Sequence, residues 1–257
     1  RTRVVPKNPR SVAQMAQRVK IANVSGIYRA AAAILANSFS NRPSNQSGYN
    51  AFAATAIANA PYLTKQQAAS AVVLPQPAMM SRGILPTLPY ITSAAGDAVA
   101  AALPIDLSVT RPETLGGISA ALIAQYPSLQ NGDELAFIKL QFSQIADAEA
   151  GVDVYSAELI MDSFVIDTED ATGKDSGAIR ALSDGIVGKK SSVGSVEDVF
   201  ITAIIHSRVD ADGKLQVSTQ WAQLSEPAQA LYDGYRTEDA LAAAVESYKA
   251  TATPILR

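Results

Sequence analysis

Apolar positions at helical spacing dominate the first third of the chain. Residues 1–10 read RTRVVPKNPR, and their two prolines and paired valines predict an extended arm. From Ser11 the apolar residues recur every three or four positions, which predicts a helix over residues 9–37 with a break near Ser25-Gly26. The same spacing predicts a helix over residues 46–59, and Thr64 with Gln67 has the form of a capping box. Residues 71–74 are predicted to be a buried strand.

Patterns typical of β-strands replace the helical spacing after residue 97. They predict strands over residues 103–109, 135–145, 152–165, 199–209 and 214–224. The core candidates of the third of these strands are Val152, Val154, Tyr155, Leu159 and Phe164. Asp210 to Gly213 is a hairpin turn between the last two strands. Helices are predicted over residues 115–126, from Pro227, and from the cap Thr237 to about residue 249.

These elements predict an α+β fold. At least five strands in about 120 residues are typical of an antiparallel sandwich or barrel, and of these we expect an Ig-like sandwich. We expect a basic arm and helical region over residues 1–96, an acidic antiparallel β-sandwich over residues 97–225, and a C-terminal helical extension over residues 226–257.

Charge is divided unevenly between these regions. Residues 1–96 hold ten Lys and Arg and no acidic residue, whereas the rest holds eleven basic and twenty-four acidic residues. The two parts therefore carry +10 and −13, within a net charge of −3. The basic residues of such a segment bind nucleic acid, an anionic surface or an acidic protein, or they simply face solvent on a helix and an arm. Because Tyr28 is the only aromatic residue before Phe39, protein contact is favoured over nucleic acid.

Residues that support catalysis or bind metals are scarce. The chain has no Cys and one histidine, His206, so thiol catalysis and histidine- or cysteine-based zinc sites are excluded. A Ser-His-Asp site would need Ser207 or Asp210 beside His206 without a nucleophile elbow, so we interpret His206 as a sheet or core residue. No phosphate-binding glycine motif and no long apolar membrane segment occur. We therefore predict a protein that is not an enzyme, with no cofactor and no catalytic, cofactor-binding or metal-binding residue.

Two acidic loops contain the oxygen ligands that calcium takes. They are Asp167-Glu169-Asp170-Asp175 and Asp210-Asp212, and the second lacks the bidentate glutamate that follows the glycine of a calcium loop. Turn formation by Asp side chains explains both loops more simply.

Three segments together resemble a family of uncharacterised proteins from gut Bacteroidota and their phages. KNPRSVAQMAQR at residues 7–18 resembles the family's KNPR[TS]xxQxxQR segment. SRGILP at residues 81–86 is similar to its SRGxLP segment and follows YNAF at residues 49–52. The hairpin over residues 199–221, with DGK at residues 212–214, is similar to the family's last hairpin. The family's turn has two serines, whereas here Thr219 follows Ser218 and the second serine is displaced or absent.

The resemblance covers about residues 1–225 and brings no catalytic residue with it. It implies an N-terminal helical part, a C-terminal β-sandwich and a phage or mobile-element setting. We expect a non-enzymatic structural protein of a tailed-phage virion, made in the bacterial host cytoplasm and associated with the capsid, portal or tail. Its partners would be other copies of itself and other virion proteins. The expected contact charges are Arg1, Arg3, Lys7, Arg10, Arg18 and Lys20.

Two alternatives stay open. One is a cell-surface or glycan-binding β-sandwich module, for which aromatic side chains are the candidates: Trp221, Tyr232, Tyr235 and Tyr248. The other is a non-specific DNA-binding protein that uses the basic half.

Overall fold

The computed structural model describes residues 12–89, 91–92, 99–100, 113–145, 154–173 and 199–249. The predicted arm over residues 1–10 and the predicted strand over residues 103–109 lie outside these ranges. The helices are α1 (Val12–Ala30), α2 (Ala32–Leu35), α3 (Gly48–Ala56), α4 (Lys65–Ala69), α5 (Leu115–Gln125), α6 (Glu226–Gly234) and α7 (Glu238–Lys249), and a 3-10 turn (Ile57–Asn59) continues α3. The strands are β1 (Met79–Ser81), β2 (Ile91–Thr92), β3 (Val99–Ala100), β4 (Glu134–Ile145), β5 (Val154–Val165), β6 (Val199–Val209), β7 (Leu215–Val217), β8 (Gln220–Trp221) and β9 (Gln223–Leu224).

One five-stranded antiparallel sheet organises the fold and confirms the α+β class. Its order is β5-β4-β6-β7, and β9 also pairs with β6. The remaining described strands form two-stranded pairs, β1 with β8 and β2 with β3. An Ig-like sandwich would place a second sheet against this one. Within the described ranges, helices cover the five strands instead, so the Ig-like sandwich that we expected is not observed.

The two faces of β4 explain this helix-on-sheet packing. Side chains alternate between the faces of a strand. On one face Leu135 and Phe137 pack in a buried cluster with Ile118 and Leu122 of α5. On the other face, residues of the central strands share a second cluster with α1, α2 and α3: Ile138, Leu140, Ile205, Ile27, Leu35 and Phe52. Buried residues of the basic N-terminal region and of the sheet therefore form one continuous core.

Local sequence signals set several helix ends. Thr64 and Gln67 form the predicted capping box, with Gln67 N donating to Thr64 Oγ1 at 3.2 Å and Thr64 N donating to Gln67 Oε1 at 2.9 Å. The first helix is continuous through Ser25 and Gly26, so the expected break there is wrong. It ends at Ala30 rather than near residue 37, and α2 follows as a separate short helix. A Cβ at Gly26 would lie 2.7 Å from Val73 Cγ2, so this glycine permits close packing inside a continuous helix.

The segment predicted as a strand over residues 71–74 does not pair as a strand: Ala71 lies in a turn with φ of +55°, and residues 72–74 belong to no described strand. A buried side chain on α1, Asn23, takes the place of a neighbouring strand. Its Nδ2 donates to Leu74 O at 3.0 Å and to Gln76 Oε1 at 2.9 Å, and its Oδ1 accepts from Leu74 N at 2.7 Å. Gln76 Nε2 in turn donates to Ala56 O at 3.1 Å. This polar network joins α1, residues 74–76 and α3 inside the core.

Candidate functional site

The described part of the basic region lies against the acidic half of the same chain. The helix α1 packs on α7 and contacts β5. Lys20 Nζ lies 5.7 Å from the centroid of the Tyr62 ring. Burial raises the pKa of Tyr248, and the positive charge of nearby Arg18 acts against that rise. Two of the predicted contact charges, Arg18 and Lys20, therefore lie against tyrosines of the same chain.

The other four predicted contact charges lie outside the described residues: Arg1, Arg3, Lys7 and Arg10.

A largely buried cluster of ionisable side chains lies where β4 begins. Asp133 immediately precedes β4, and His206 and Arg208 lie two positions apart on β6, so their side chains share a face. Arg208 Nε donates to Asp133 Oδ1 at 2.6 Å, and its second terminal nitrogen donates to Asp133 Oδ2 at 2.7 Å. His206 Nε2 lies 2.8 Å from Asp133 Oδ2, which also accepts from Gln130 N at 2.8 Å. The same Arg208 nitrogen donates to Ser128 O at 2.7 Å.

Hydrogen bonding keeps Asp133 and Arg208 charged. Burial alone would raise the pKa of Asp133, but the bonds from Arg208, Gln130 and His206 outweigh burial and hold that pKa below its ordinary value. The bond to Asp133 raises the pKa of Arg208. An ionised carboxylate only accepts hydrogen bonds, so the shared proton belongs to His206 Nε2. The cluster ties the loop over residues 128–133 to β6 with a fork-shaped ion pair.

The cluster has the elements of a catalytic dyad without access for a substrate. His206 is fully buried, and its Nδ1 has no hydrogen-bond partner among the residues that the structure describes. The neighbouring hydroxyl, Ser218 Oγ, accepts from His206 N at 3.1 Å. The interpretation of His206 as a core histidine is confirmed. Its acidic partner is Asp133, which was not among the predicted site residues, although its place between an Asn-Gly turn and a strand is visible in the sequence.

Both acidic loops that could suit calcium use their carboxylates for turns. Asp210 Oδ1 accepts from Asp212 N at 3.0 Å and from Lys214 N at 2.9 Å, and its Oδ2 accepts from Gln216 Nε2 at 2.8 Å. These bonds close the predicted hairpin turn, in which Gly213 has φ of +75°. The described portion of the chain contains no group of three His, Cys, Asp or Glu placed to hold a metal ion.

The turn in the other acidic loop is formed in the same way. Asp167 Oδ1 accepts from Glu169 N at 2.9 Å, and Asp170 Oδ1 accepts from Thr172 N at 2.8 Å. The fourth acid of that loop, Asp175, lies outside the described residues.

The aromatic residues considered for glycan binding have separate surroundings. Trp221 on β8 is 39% exposed, whereas Tyr232 on α6 is buried. Tyr235 is half-buried, and its hydroxyl accepts from Gln67 Nε2 at 3.1 Å. Tyr248 is half-buried where α7 meets α1. Three of these four side chains thus contribute to packing between helices.

A polar cleft of about 530 Å³ opens between residues 37–46 and the β6–β7 hairpin. It contains two cationic side chains, Arg42 and Lys214. The other polar residues that line it carry amide or hydroxyl groups: Asn37, Ser40, Ser44, Gln46 and Gln216. A smaller cavity of about 150 Å³, lined by Arg42 and Arg82, adjoins it. No carboxylate occurs among the described residues that line either space.

The strand β5 presents apolar side chains at one edge of the sheet. It pairs with β4 and with no other strand in the described part of the chain. Ile160 is 42% exposed, Met161 is 51% exposed and Val165 is 56% exposed. This exposed group was not among the core candidates predicted on this strand. Its signal was the apolar run Leu159-Ile160-Met161, which makes both faces of the strand apolar.

Two hydrogen bonds identify the backbone groups along the outer edge of β5. Tyr155 O accepts from Val73 N at 2.9 Å, and Ser163 N donates to Asp162 Oδ1 at 2.8 Å. In an antiparallel ladder each residue directs its N–H and C=O to the same side, and consecutive residues alternate. Odd-numbered residues of β5 therefore direct these groups away from β4. The bond from Ile166 N to Asp133 O, 2.7 Å long, agrees with this assignment because it joins an even-numbered residue to the β4 side.

Comparisons of this chain with protein-family models, with curated protein sequences and with solved structures find no match. Among the helices that the structure describes, none has the length and apolar character needed to cross a membrane.

Proposed function

We propose that this protein is a non-enzymatic structural subunit of a tailed-phage virion that acts by multi-copy assembly. The observation that supports assembly best is the exposed apolar edge of β5. The resemblance of residues 7–18 and 81–86 to a family found in gut Bacteroidota and their phages supports the virion setting. Capsid, portal and tail are all places that such a subunit can occupy.

An open edge strand favours assembly for a physical reason. Its backbone N–H and C=O groups form a template for another strand, and proteins that stay monomeric usually protect such edges with charge, proline or a covering segment. Here Ile160, Met161 and Val165 place apolar surface beside those groups. Covering each of these side chains would remove it from water and contribute up to about 1.5 kcal/mol, given that roughly half is already buried.

The chemistry of the charged cluster supports a non-enzymatic role. His206 and Asp133 are fully buried, and Arg208 neutralises the carboxylate. A general base needs contact with substrate, whereas these side chains contact the loop over residues 128–133. The cluster is well suited to fixing that loop on the sheet.

The basic arm extends this proposal. Arg1, Arg3, Lys7 and Arg10 would contact acidic surfaces of neighbouring copies or of other virion proteins. Arg18 and Lys20 contribute less to such contacts in our proposal because they lie near tyrosines of their own subunit. An ionic contact of this kind weakens as salt rises, since screening acts on exposed charges.

Light scattering coupled to size-exclusion chromatography tests assembly on the full chain over a wide range of protein concentration. We expect an oligomer that Met161→Lys dissociates. Ile84→Lys is the matched control, because Ile84 is 72% exposed and lies outside β5. Mass spectrometry of purified particles from a phage that encodes the chain tests the setting. A monomer at every concentration, together with absence from particles, would overturn the proposal.

The polar cleft favours a second candidate function, binding of an anionic saccharide. Guanidinium and ammonium groups of Arg42 and Lys214 suit a carboxylate or phosphate, and the amide and hydroxyl side chains suit sugar hydroxyls. Calorimetric titration with glucuronic acid and glucose 6-phosphate, against neutral glucose, tests this function. Lys214→Gln should weaken binding, and Lys65→Gln, outside the cleft, should not. Equal heats for charged and neutral sugars, or none, reject this candidate.

A further inference from the structure

We propose that two copies of this chain join through their β5 edges, antiparallel, about a twofold axis that passes beside Met161. This inference rests on the proposed function and names the partner as a second copy. It would continue the five-stranded sheet of each subunit across the interface. A twofold axis perpendicular to the sheet makes edge strands antiparallel and keeps equivalent faces on the same side.

The free backbone groups limit where the second strand can lie. Odd-numbered residues of β5 direct their N–H and C=O outward, and Tyr155 O is already bonded to Val73 N. The outward groups that face no other strand or loop of the chain therefore begin at Ala157 and end at Val165. Among them, Ser163 N donates to Asp162 Oδ1, and strand pairing would exchange that bond for one to the partner. The centre of this stretch is Met161, whose side chain is 51% exposed.

Charge selects among the neighbouring registers. A register centred on Ile160 would place Glu158 opposite the partner's Asp162, and one centred on Asp162 would place that residue opposite the partner's Asp162. Like charges directly opposite each other destabilise a strand pair. A register centred on Leu159 would require pairing at Tyr155, where Val73 already lies. The register centred on Met161 avoids all three conflicts.

The Met161 register also matches the faces of the sheet. It places Leu159 opposite the partner's Ser163 and Ala157 opposite the partner's Val165. Met161 and Leu159 lie opposite Ile138 and Leu140 of β4, which belong to the core cluster on the face covered by α1, α2 and α3. The interface would therefore extend an existing apolar layer. On the opposite face, Ile160 would lie opposite the partner's Asp162.

Ser163 provides a way to block this edge without disturbing β4. Its N–H points outward, to Asp162 Oδ1, so proline at this position removes no hydrogen bond of the β4–β5 ladder. Ser163→Pro should dissociate the dimer, while Ser163→Ala should leave it intact. A far-UV circular dichroism spectrum like that of Ser163→Ala, with one cooperative melting transition, would show that the separated Ser163→Pro monomer still folds.

Single-cysteine cross-linking tests the register, because the natural chain contains no cysteine. Residues in a hydrogen-bonded antiparallel pair have Cα atoms about 5.5 Å apart, within the range that a disulfide bridges. Met161→Cys should therefore give a covalent dimer under mild oxidation. Ile160→Cys should not, because two copies of residue 160 would lie roughly 8 Å apart, given the rise per residue along a strand.

A mixture of Ile160→Cys and Asp162→Cys chains supplies the decisive positive control, since these two positions lie opposite each other in the proposed register. Cross-linking of Met161→Cys and of the mixture, but not of Ile160→Cys alone, supports the inference. If the wild type is oligomeric and Met161→Cys stays uncross-linked, the register is wrong while the proposed function survives. Equal cross-linking at positions 160 and 161 likewise rejects the register. A wild type that is always monomeric contradicts the dimer, and it contradicts the proposed function as well if the chain is also absent from particles.

Discussion

Replacing Asp133 with asparagine is the sharpest test of the buried charge cluster. The change keeps the shape of the side chain but removes its negative charge. Three donors converge on Asp133 Oδ2, and a fourth, Arg208 Nε, lies on Oδ1. Whichever way the amide is turned, its NH₂ group faces at least one donor, and the Arg208 cation loses its counter-ion.

The size of the effect follows from burial. Removing one partner of a fully buried ion pair costs about 3–5 kcal/mol. The Asp133 side chain is 1% exposed, but that of Arg208 is 24% exposed, so water restores part of the lost solvation of the cation. We therefore expect Asp133→Asn to lower the free energy of unfolding by about 3 kcal/mol. For a chain of this size this loss corresponds to a fall in melting temperature of about 6–12 °C.

Urea unfolding followed by circular dichroism measures this loss, and the slope with urea should stay unchanged. A double-mutant cycle with Arg208→Gln is the control. Once Asp133 has been replaced, removal of the unpaired cation should cost little, so the double variant should lose much less stability than the two single losses added together. A loss below about 1 kcal/mol for Asp133→Asn, or strict additivity in the cycle, would refute the stabilising role of the ion pair.

The pH dependence of the same comparison has a defined sign. Because the pKa of Asp133 is lower in the folded protein than in the unfolded chain, the carboxylate contributes its full stability above its ordinary pKa. That contribution is lost as the pH falls through the folded value. The stability difference between wild type and Asp133→Asn should thus be constant near neutral pH and shrink in acid. A difference that grows in acid would contradict the lowered pKa.

Three further predictions concern the core, a close backbone contact and the acidic loops. Asn23→Ala should lower the free energy of unfolding by about 3 kcal/mol in urea titrations because buried groups of residues 74 and 76 lose their partners, whereas exposed Asn41→Ala should have almost no effect. Gly83→Ala should lower the free energy of unfolding by about 2 kcal/mol or more, since the new Cβ would lie 2.1 Å from Val217 O. Gly234→Ala, which has open space around its new Cβ, is the control, and equal melting temperatures of these two variants would refute the steric reason. A chelator should leave the melting temperature unchanged because Asp210 already bonds backbone and Gln216 groups, and stabilisation by added calcium would contradict this interpretation.

Elements with local signals were predictable from the sequence. The α+β class, the long strands and most of the helices follow from apolar spacing, which depends on residues close together in the chain. The Thr64 capping box and the Asp210–Gly213 turn also lie within a few residues and appear in the structure as predicted. In each case the interacting groups are neighbours along the chain, so their spacing alone determines whether they can meet.

Long-range contacts decided what the sequence pattern left open. The pairing of Asp133 with His206 and Arg208 spans more than seventy residues and depends on the register of β4 with β6. The register of β4 with β5 leaves the latter strand at the edge of the described sheet. Helices cover the faces of that sheet because α1, α3 and α5 each bury an apolar face against it. Sequence spacing thus determines which residues share a face, but only the tertiary structure determines what that face meets.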